Sequence, residues 1–397
     1  MQKSAYRTDA PGDLVRTQFT ERFATDHGWD SRVVDGWAFV PHHLPPALDR
    51  REVLGVLHER LMAAERRLSL LEGKASRLQD PHLLSGVFAQ REAIYSSRIE
   101  DTFASLEDLA LLKVAPDRLH DRSDTQEVAN YIHALDHVMN TELPICTRLL
   151  RETHQLLLKG VAQNGVLPGE IRRSQNAIGG GGRFDQARFV PPPPDRVPGL
   201  LQNFEVECNR VDPGLPRLLH FAALHYQFET IHPFLDGNGR LGRLLITKLL
   251  CDQAQLTNPL IYVSGYFEQN REAYYNHLLC VSTKGHWLEW FAFFLEAIAT
   301  QATDAIERSD KLLDLHAAMQ ERVRVARASP LLPRLIDLLF KFPFITAAEI
   351  SEACACTPQT ARNLLSRLAD LKVVTEVPQI GRTKLFAAPE ILALVTT

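Results

Sequence analysis

Apolar residues recur at helical spacing along most of this chain. From residue 51 to about 75, Val53, Leu54, Leu57, Leu61, Leu68 and Leu71 fall on one side of a helix. The same spacing predicts helices over 84–99, 124–139, 145–159 and 216–230, again after Asn238, and from 286 to about 325. Residues 1 to about 30 are polar and aperiodic, which predicts a loosely held arm. The short apolar run at residues 37–41 reads as extended, because Leu44, Pro45 and Pro46 follow it.

Between Gly160 and Pro198 the helical rhythm stops. Gly179–Gly182 leave the backbone permissive, and Pro191–Pro194 stiffen it into an extended segment. A loop this long inside a domain is usually functional or disordered. From Leu331 the pattern changes again. An apolar helix over 331–340 is followed by Thr346 and Glu349, spaced as a capping box, and by Thr357-Pro358 opening a third helix to about Leu371. Residues 373–377 and 384–386 alternate as two short strands, with Gly381 at the turn. Three helices and a hairpin are the outline of a winged helix.

Composition narrows the function classes. At 397 residues, 45% hydrophobic and 23% charged, the chain has length for two or three globular domains. A formal charge of -4 argues against a chain-wide nucleic-acid field. No run approaches the ~18 apolar residues of a membrane span, and the polar N-terminus lacks a secretory pattern, so a cytoplasmic protein is expected. Six cysteines are too few for a disulfide scaffold, and no second Cys or His pair completes a zinc site around Cys354 and Cys356.

The chemistry concentrates in twelve residues, His232 to Arg243. Asp236 is a short carboxylate suited to Mg²⁺. Gly237 and Gly239 flank Asn238 and let backbone N–H groups approach a phosphate. The apolar spacing of Leu241, Leu244, Leu245, Leu249 and Leu250 places this loop at a helix N-terminus, a natural anion site. Arg240 and Arg243 share the first turn and can bracket a polyphosphate, and His232 can titrate near neutral pH. Each piece alone has a bland reading as a structural histidine, a turn or a solvated face. Their convergence does not.

The string His232-Pro-Phe234-Leu-Asp236-Gly237-Asn238-Gly239-Arg240-Leu-Gly-Arg243 resembles the signature of the Fic family and matches every fixed position. The helix 224–230 and the segment 270–275 are similar to the family as well, and the resemblance covers about residues 30 to 300. It implies an all-α Fic fold with a small β-hairpin flap, ATP and Mg²⁺ as cofactors, and transfer of AMP to a Ser, Thr or Tyr hydroxyl of a target protein. By that resemblance His232 deprotonates the hydroxyl and Asp236 holds the metal. Gly237, Asn238 and Gly239 form the anion hole, Arg240 meets the β-phosphate and Arg243 the γ-phosphate. Phe234 anchors the loop in the core. Tyr274 and Tyr275 wall the adenine pocket, or else pack in the core. Ile178, Gly179, Gly180 and Gly181 fall where the family's flap aligns its target by strand addition, against a bland reading as a connector.

Ser96-Ser97-Arg98-Ile99-Glu100 resembles the family's inhibitory helix, which implies that Glu100 occupies Arg243 and misaligns ATP. The family has Gly or Asn after this Glu, and this chain has Asp101, which puts the helix end in question. Some relatives with this helix also remove AMP. In the C-terminal module Gln359, Arg362 and Arg367 are candidate contacts to DNA or protein. Residues 331–397 hold 7 Lys and Arg against 6 Asp and Glu, short of the basic bias a DNA-binding domain shows. The expected organisation is an N-terminal helical lobe over 1–110, a catalytic core over 111–300, a linker helix over 301–330 and a winged-helix (α+β) domain over 331–397. The expected function is an autoinhibited protein adenylyltransferase, able to modify a target or itself and open to a homodimer. The alternative is a winged-helix transcriptional regulator whose nucleotide site only senses ATP or ADP.

Overall fold

The computed structural model describes the chain apart from residues 1–2, 26–27, 77–81, 120, 163–164, 181–183, 213, 254–255, 327–328, 379–382 and 397. In chain order the strands and α-helices are β1 (Gly12–Thr25), β2 (Gly28–Pro41), α1 (Arg50–Ala75), α2 (His82–Ile99), α3 (Leu106–Val114), α4 (Arg122–Asn140) and α5 (Thr147–Leu157). Next come α6 (Val197–Cys208), α7 (Arg217–Ile231), α8 (Asn238–Gln253), α9 (Ser264–Gln269), α10 (Arg271–Lys284) and α11 (Trp287–Val325). The chain ends with α12 (Leu332–Lys341), β3 (Phe344–Thr346), α13 (Ala347–Ala353), α14 (Pro358–Asp370), β4 (Thr375–Glu376), β5 (Leu385–Ala387) and α15 (Pro389–Thr396). The residues form two compact units, one of 1–65, 133–254 and 266–298, the other of 66–132, 255–265 and 299–397.

In the first unit α7 runs through the core, with nearly every residue buried, and α8 packs along it. Gly242 permits that approach, since a Cβ there would meet the Glu229 Oε1 at 2.2 Å. The Trp290 indole donates to the Ala222 carbonyl at 2.9 Å and fixes the start of α11 to α7.

The expected N-terminal arm is instead a long antiparallel hairpin, β1 on β2, in register from Gly12–Pro41 to Thr25–Gly28. Val15, Thr17, Phe19 and Glu21 form the less exposed face, while Arg16, Gln18 and Thr20 are exposed. The period is that of a strand, but half of the inward face is polar, so no apolar alternation shows in the sequence. Those polar members find partners far away. Thr17 donates to Gln175 at 2.9 Å, and Glu21 accepts the Phe184 N–H at 2.7 Å while pairing with Arg32. Phe184, Ala187 and Val190 bury against Ala38, with Val15, Phe19 and Val34 packed over them.

In the second unit α2 packs on α12 and α15. Gly86 makes that contact close: a Cβ would sit 2.7 Å from the Lys341 carbonyl oxygen, to which Gln90 donates at 2.9 Å. The Glu92 carboxylate is buried among Tyr131 and Ser264, which donate to it at 3.0 and 2.5 Å. Helices α12, α13 and α14 accompany an antiparallel sheet in the order β3–β5–β4, whose β3 lies between α12 and α13 and whose β4 and β5 follow α14. Thr346 and Glu349 close their capping box, and Thr357 caps α14 with Pro358 in its first turn. Gly381, the expected turn residue, lies outside the described residues. Helix α3 packs on this sheet through Ala110, Leu111 and Leu385. Helices α3, α6, α9, α10 and α15 and strand β3 are additions to the sequence reading.

Candidate functional site

The site is built at the junction of α7 and α8. Helix α7 ends at His232, whose φ of 49° and ψ of 62° are left-handed. That twist turns the chain into the loop 233–237, and Gly237, at φ 74°, feeds α8. Leaving the right-handed region costs a non-glycine residue about 1 kcal/mol, so the surroundings must hold His232 in place. The His232 Nδ1 donates to the Glu229 carbonyl at 3.3 Å.

Asn238 closes the loop on itself. Its Oδ1 accepts the Phe234 N–H and its Nδ2 donates to the Phe234 carbonyl, both at 2.9 Å. The amide is therefore spent on shape, which leaves the backbone at the N-terminus of α8 as the candidate anion site. Phe234 is fully buried, Leu235 exposed, and Asp236 half exposed with its Oδ1 accepting the Gly237 N–H at 2.6 Å. Arg240 and Arg243 are both buried, and Arg240 lies 3.7 Å from the Asp236 carboxylate.

A supporting layer under the loop escaped the sequence reading. His154 of α5 stacks on Phe234, accepts the Gly169 N–H at Nδ1 at 2.7 Å, and donates from Nε2 to the Asp236 carbonyl at 3.0 Å. Burial draws its pKa down to about 4, so the ring is neutral and its tautomer fixed by the two bonds. Asn176 donates to the Phe234 carbonyl at 3.1 Å. Arg172, buried, donates to the His232 carbonyl at 2.8 Å, and burial lowers its pKa to about 10. These partners are some 60 to 80 residues away in sequence, and nothing local marks them.

Behind α8, His225 donates to the Gly242 carbonyl at 3.3 Å and accepts from the Tyr274 hydroxyl at 2.8 Å. Burial, reinforced by the Arg243 charge, draws its pKa down to about 3. Tyr274 is thus wholly buried in an aromatic cluster with Phe267 and Trp290, whereas Tyr275 is half buried between Arg188 and Arg271.

Beyond Asn176 an isolated antiparallel bridge joins Ile178 to Phe189. Gly179 and Gly180 have φ of 75° and 76°, and a Cβ on Gly180 would meet the Gln186 backbone at 2.6 Å. Gly181 lies outside the described residues. On the other side, Arg188 reaches the Asn276 side chain at 2.7 Å.

In the second unit Glu100 is exposed at the end of α2, and Ser96 is buried within it. Asp101 takes the left-handed conformation, φ 60°, that the sequence put in doubt. Its N–H bonds to the Arg98 carbonyl and that of Thr102 to the Ser97 carbonyl, both at 3.1 Å, a complete Schellman end. Gln359, Arg362 and Arg367 all lie on the exposed face of α14. Among the described residues no group of three His, Cys, Asp or Glu side chains is placed to hold a metal. The single carboxylate of Asp236 fits an ion held mainly by nucleotide phosphates, as Mg²⁺ commonly is.

A buried helix pair whose connecting loop carries the His-to-Arg string is the architecture of the Fic/DOC family. Residues 58–140 match the model of the Fic/DOC family N-terminal region and residues 144–250 that of the Fic/DOC family. These two segments are what the chain shares with that family. It is 30% identical over 239 residues to the protein adenylyltransferase Fic of Drosophila yakuba, covering 56% of this chain and 44% of that one. A probable protein adenylyltransferase of Aquifex aeolicus is 32% identical over 185 residues, covering 44% of this chain and 54% of that one. The chain thus spans about half the length of these curated relatives. A Fic family protein of Desulfovibrio desulfuricans, of known crystal structure, shares the fold with a TM-score of 0.54 at 21% identity, over 83% of this chain and 95% of that one. No helix of the described residues is long and apolar enough to cross a membrane.

Proposed function

We propose that this chain is a protein adenylyltransferase. The observation that carries the reading is the place of His232, in a left-handed turn at the end of α7 and six residues before the N-terminus of α8, where an anion can bind. Nε2 takes the proton of a target Ser, Thr or Tyr hydroxyl. The oxygen attacks the α-phosphorus of ATP, the bond to the bridging oxygen breaks, and pyrophosphate leaves with the electron pair. The backbone of 237–239, Arg240 and Arg243 neutralise the phosphates, and Asp236 would hold Mg²⁺ there, which supplies further charge neutralisation. Of the two tyrosines, Tyr275 offers a ring face to adenine. The 178–189 segment is the element that grips an extended target segment by its backbone.

The brake belongs to the same proposal. The resemblance of residues 96–100 to the inhibitory helix supports a role for Glu100 as a competitor of the γ-phosphate, and the Schellman end fixes where α2 stops before that carboxylate. Residues 331–397 act as a winged-helix domain, and because α12 and α15 pack on α2, a partner protein bound there is the natural release.

The test is incubation with Mg²⁺ and ATP labelled at the α-phosphate, alone and with lysate. Expected is strong protein labelling by Glu100→Gly, weak labelling by wild type and none by His232→Ala, a loss of ~10²–10⁴-fold. Nucleotide binding with no label on any protein from any variant would replace this reading with the nucleotide-sensing regulator.

A further inference from the structure

Arg172 carries a buried positive charge that, among the described residues, meets no carboxylate. Its partners are main-chain carbonyls drawn from three stretches of chain. Nε donates to His232 at 2.8 Å, one terminal nitrogen to Pro192 at 2.5 Å and to Ile231 at 3.3 Å, and the other to Ser174 at 3.3 Å. Its own N–H donates to the Pro233 carbonyl at 3.0 Å. Burying an ion costs several kcal/mol unless its partners compensate. Here the compensation comes from carbonyls that include the last of α7, at the negative end of the helix dipole.

The planar guanidinium is rigid, so the carbonyls it bonds keep fixed separations. Two of those groups matter to the reaction. The His232 carbonyl belongs to the base itself. Pro192 lies three residues beyond Phe189 of the flap bridge, and between them the Val190 carbonyl accepts the Phe39 N–H of β2 at 3.0 Å. Base and flap therefore hang on one side chain, and a shift of either is transmitted to the other. The phosphate-binding part of the loop is pinned separately, by His154 on Asp236 and by Asn238 on Phe234.

We propose that Arg172 is a positioning residue that sets the distance between His232 and the Ile178–Phe189 bridge, so that an acceptor hydroxyl held along that bridge meets the base in line. The proposal rests on the adenylyltransferase reading of the site. It concerns transfer to protein more than attack by water, because water needs the base and the nucleotide but no flap. A misplacement of about 1 Å can cost ~10²-fold in rate.

The experiment compares full-length wild type, Arg172→Lys, Arg172→Gln and His232→Ala with Mg²⁺ and ATP labelled at the α-phosphate. Protein-bound label, free AMP, ATP affinity and melting temperature are all read. Arg172→Lys keeps a charge among the carbonyls but loses the fork. It is expected to fold and to bind ATP within about twofold of wild type, while the ratio of protein-bound label to free AMP falls at least ~10-fold. Arg172→Gln should show the larger fall. An unchanged ratio in a folded Lys variant overturns the proposal. So does a Lys variant that does not fold, since Arg172 would then be a support of the core and nothing more. If wild type forms no protein-bound label, or His232→Ala forms as much, the failure lies with the reading of the site itself.

Discussion

The imidazole of His154 lies flat on the ring of Phe234, with centroids 3.9 Å apart and planes 9° from parallel, while its Nε2 holds the Asp236 carbonyl. One neutral side chain thus supports both the anchor of the loop and the residue next to its glycines. Replacing it with Leu removes the donor, the acceptor and the stack. His154→Leu should weaken ATP binding and slow label transfer by ~10²-fold together, in contrast to the Arg172 variants. Isothermal titration with ATP alongside the labelling assay checks this.

His225 gives the molecule a pH-dependent stability. Its pKa lies near 3 in the folded chain against an ordinary value of 6.5, so between those limits the unfolded chain binds the extra proton. Stability is then fully present above pH 6.5 and falls as the pH drops towards 3. At about 1.4 kcal/mol per unit, several kcal/mol are involved. Melting temperatures of wild type should decline over this window, and His225→Gln, which cannot titrate, should show a shallower decline.

Gly36 and Gly55 should answer substitution in opposite ways. A Cβ on Gly36 would lie 1.8 Å from Cε1 of Phe184, whereas one on Gly55, inside α1, meets nothing within 4 Å. Gly36→Ala must displace the ring that ties the N-terminal hairpin to the flap, at ~1–3 kcal/mol. Gly55→Ala should stabilise by ~0.5–1 kcal/mol through helix propensity. Urea unfolding of both variants gives the two signs directly.

Asp101 sits at a left-handed position that glycine or asparagine occupies at less strain. Asp101→Gly should therefore raise stability by up to about 1 kcal/mol and leave the α2 end in place. Thermal unfolding reads the gain, and an unchanged ratio of wild-type to Glu100→Gly labelling in this background reads the position of the helix end.

Much of the helical frame was legible in the chain, and so was the loop. The apolar spacing of α1, α7 and α8 and the caps of α13 and α14 are local signals, decided by a residue and its neighbours three and four positions away. The order of His232, Asp236, the two glycines and the arginines is equally local, since one turn into a helix N-terminus contains all of it. Tertiary structure alone decided that residues 12–41 form a hairpin, because Thr17 and Glu21 point inward only in the presence of Gln175 and the Phe184 N–H. It also decided that Tyr274 is core while Tyr275 is half exposed, and that Asp101 accepts a left-handed turn. The layer of His154, Arg172 and Asn176 belongs here too: each acts on a backbone carbonyl, and a carbonyl carries no residue identity for a sequence to show. The sequence by itself brought the candidate groups of the site into one stretch of twelve residues. The fold determined what holds them in place, because those bonds join atoms that every residue has.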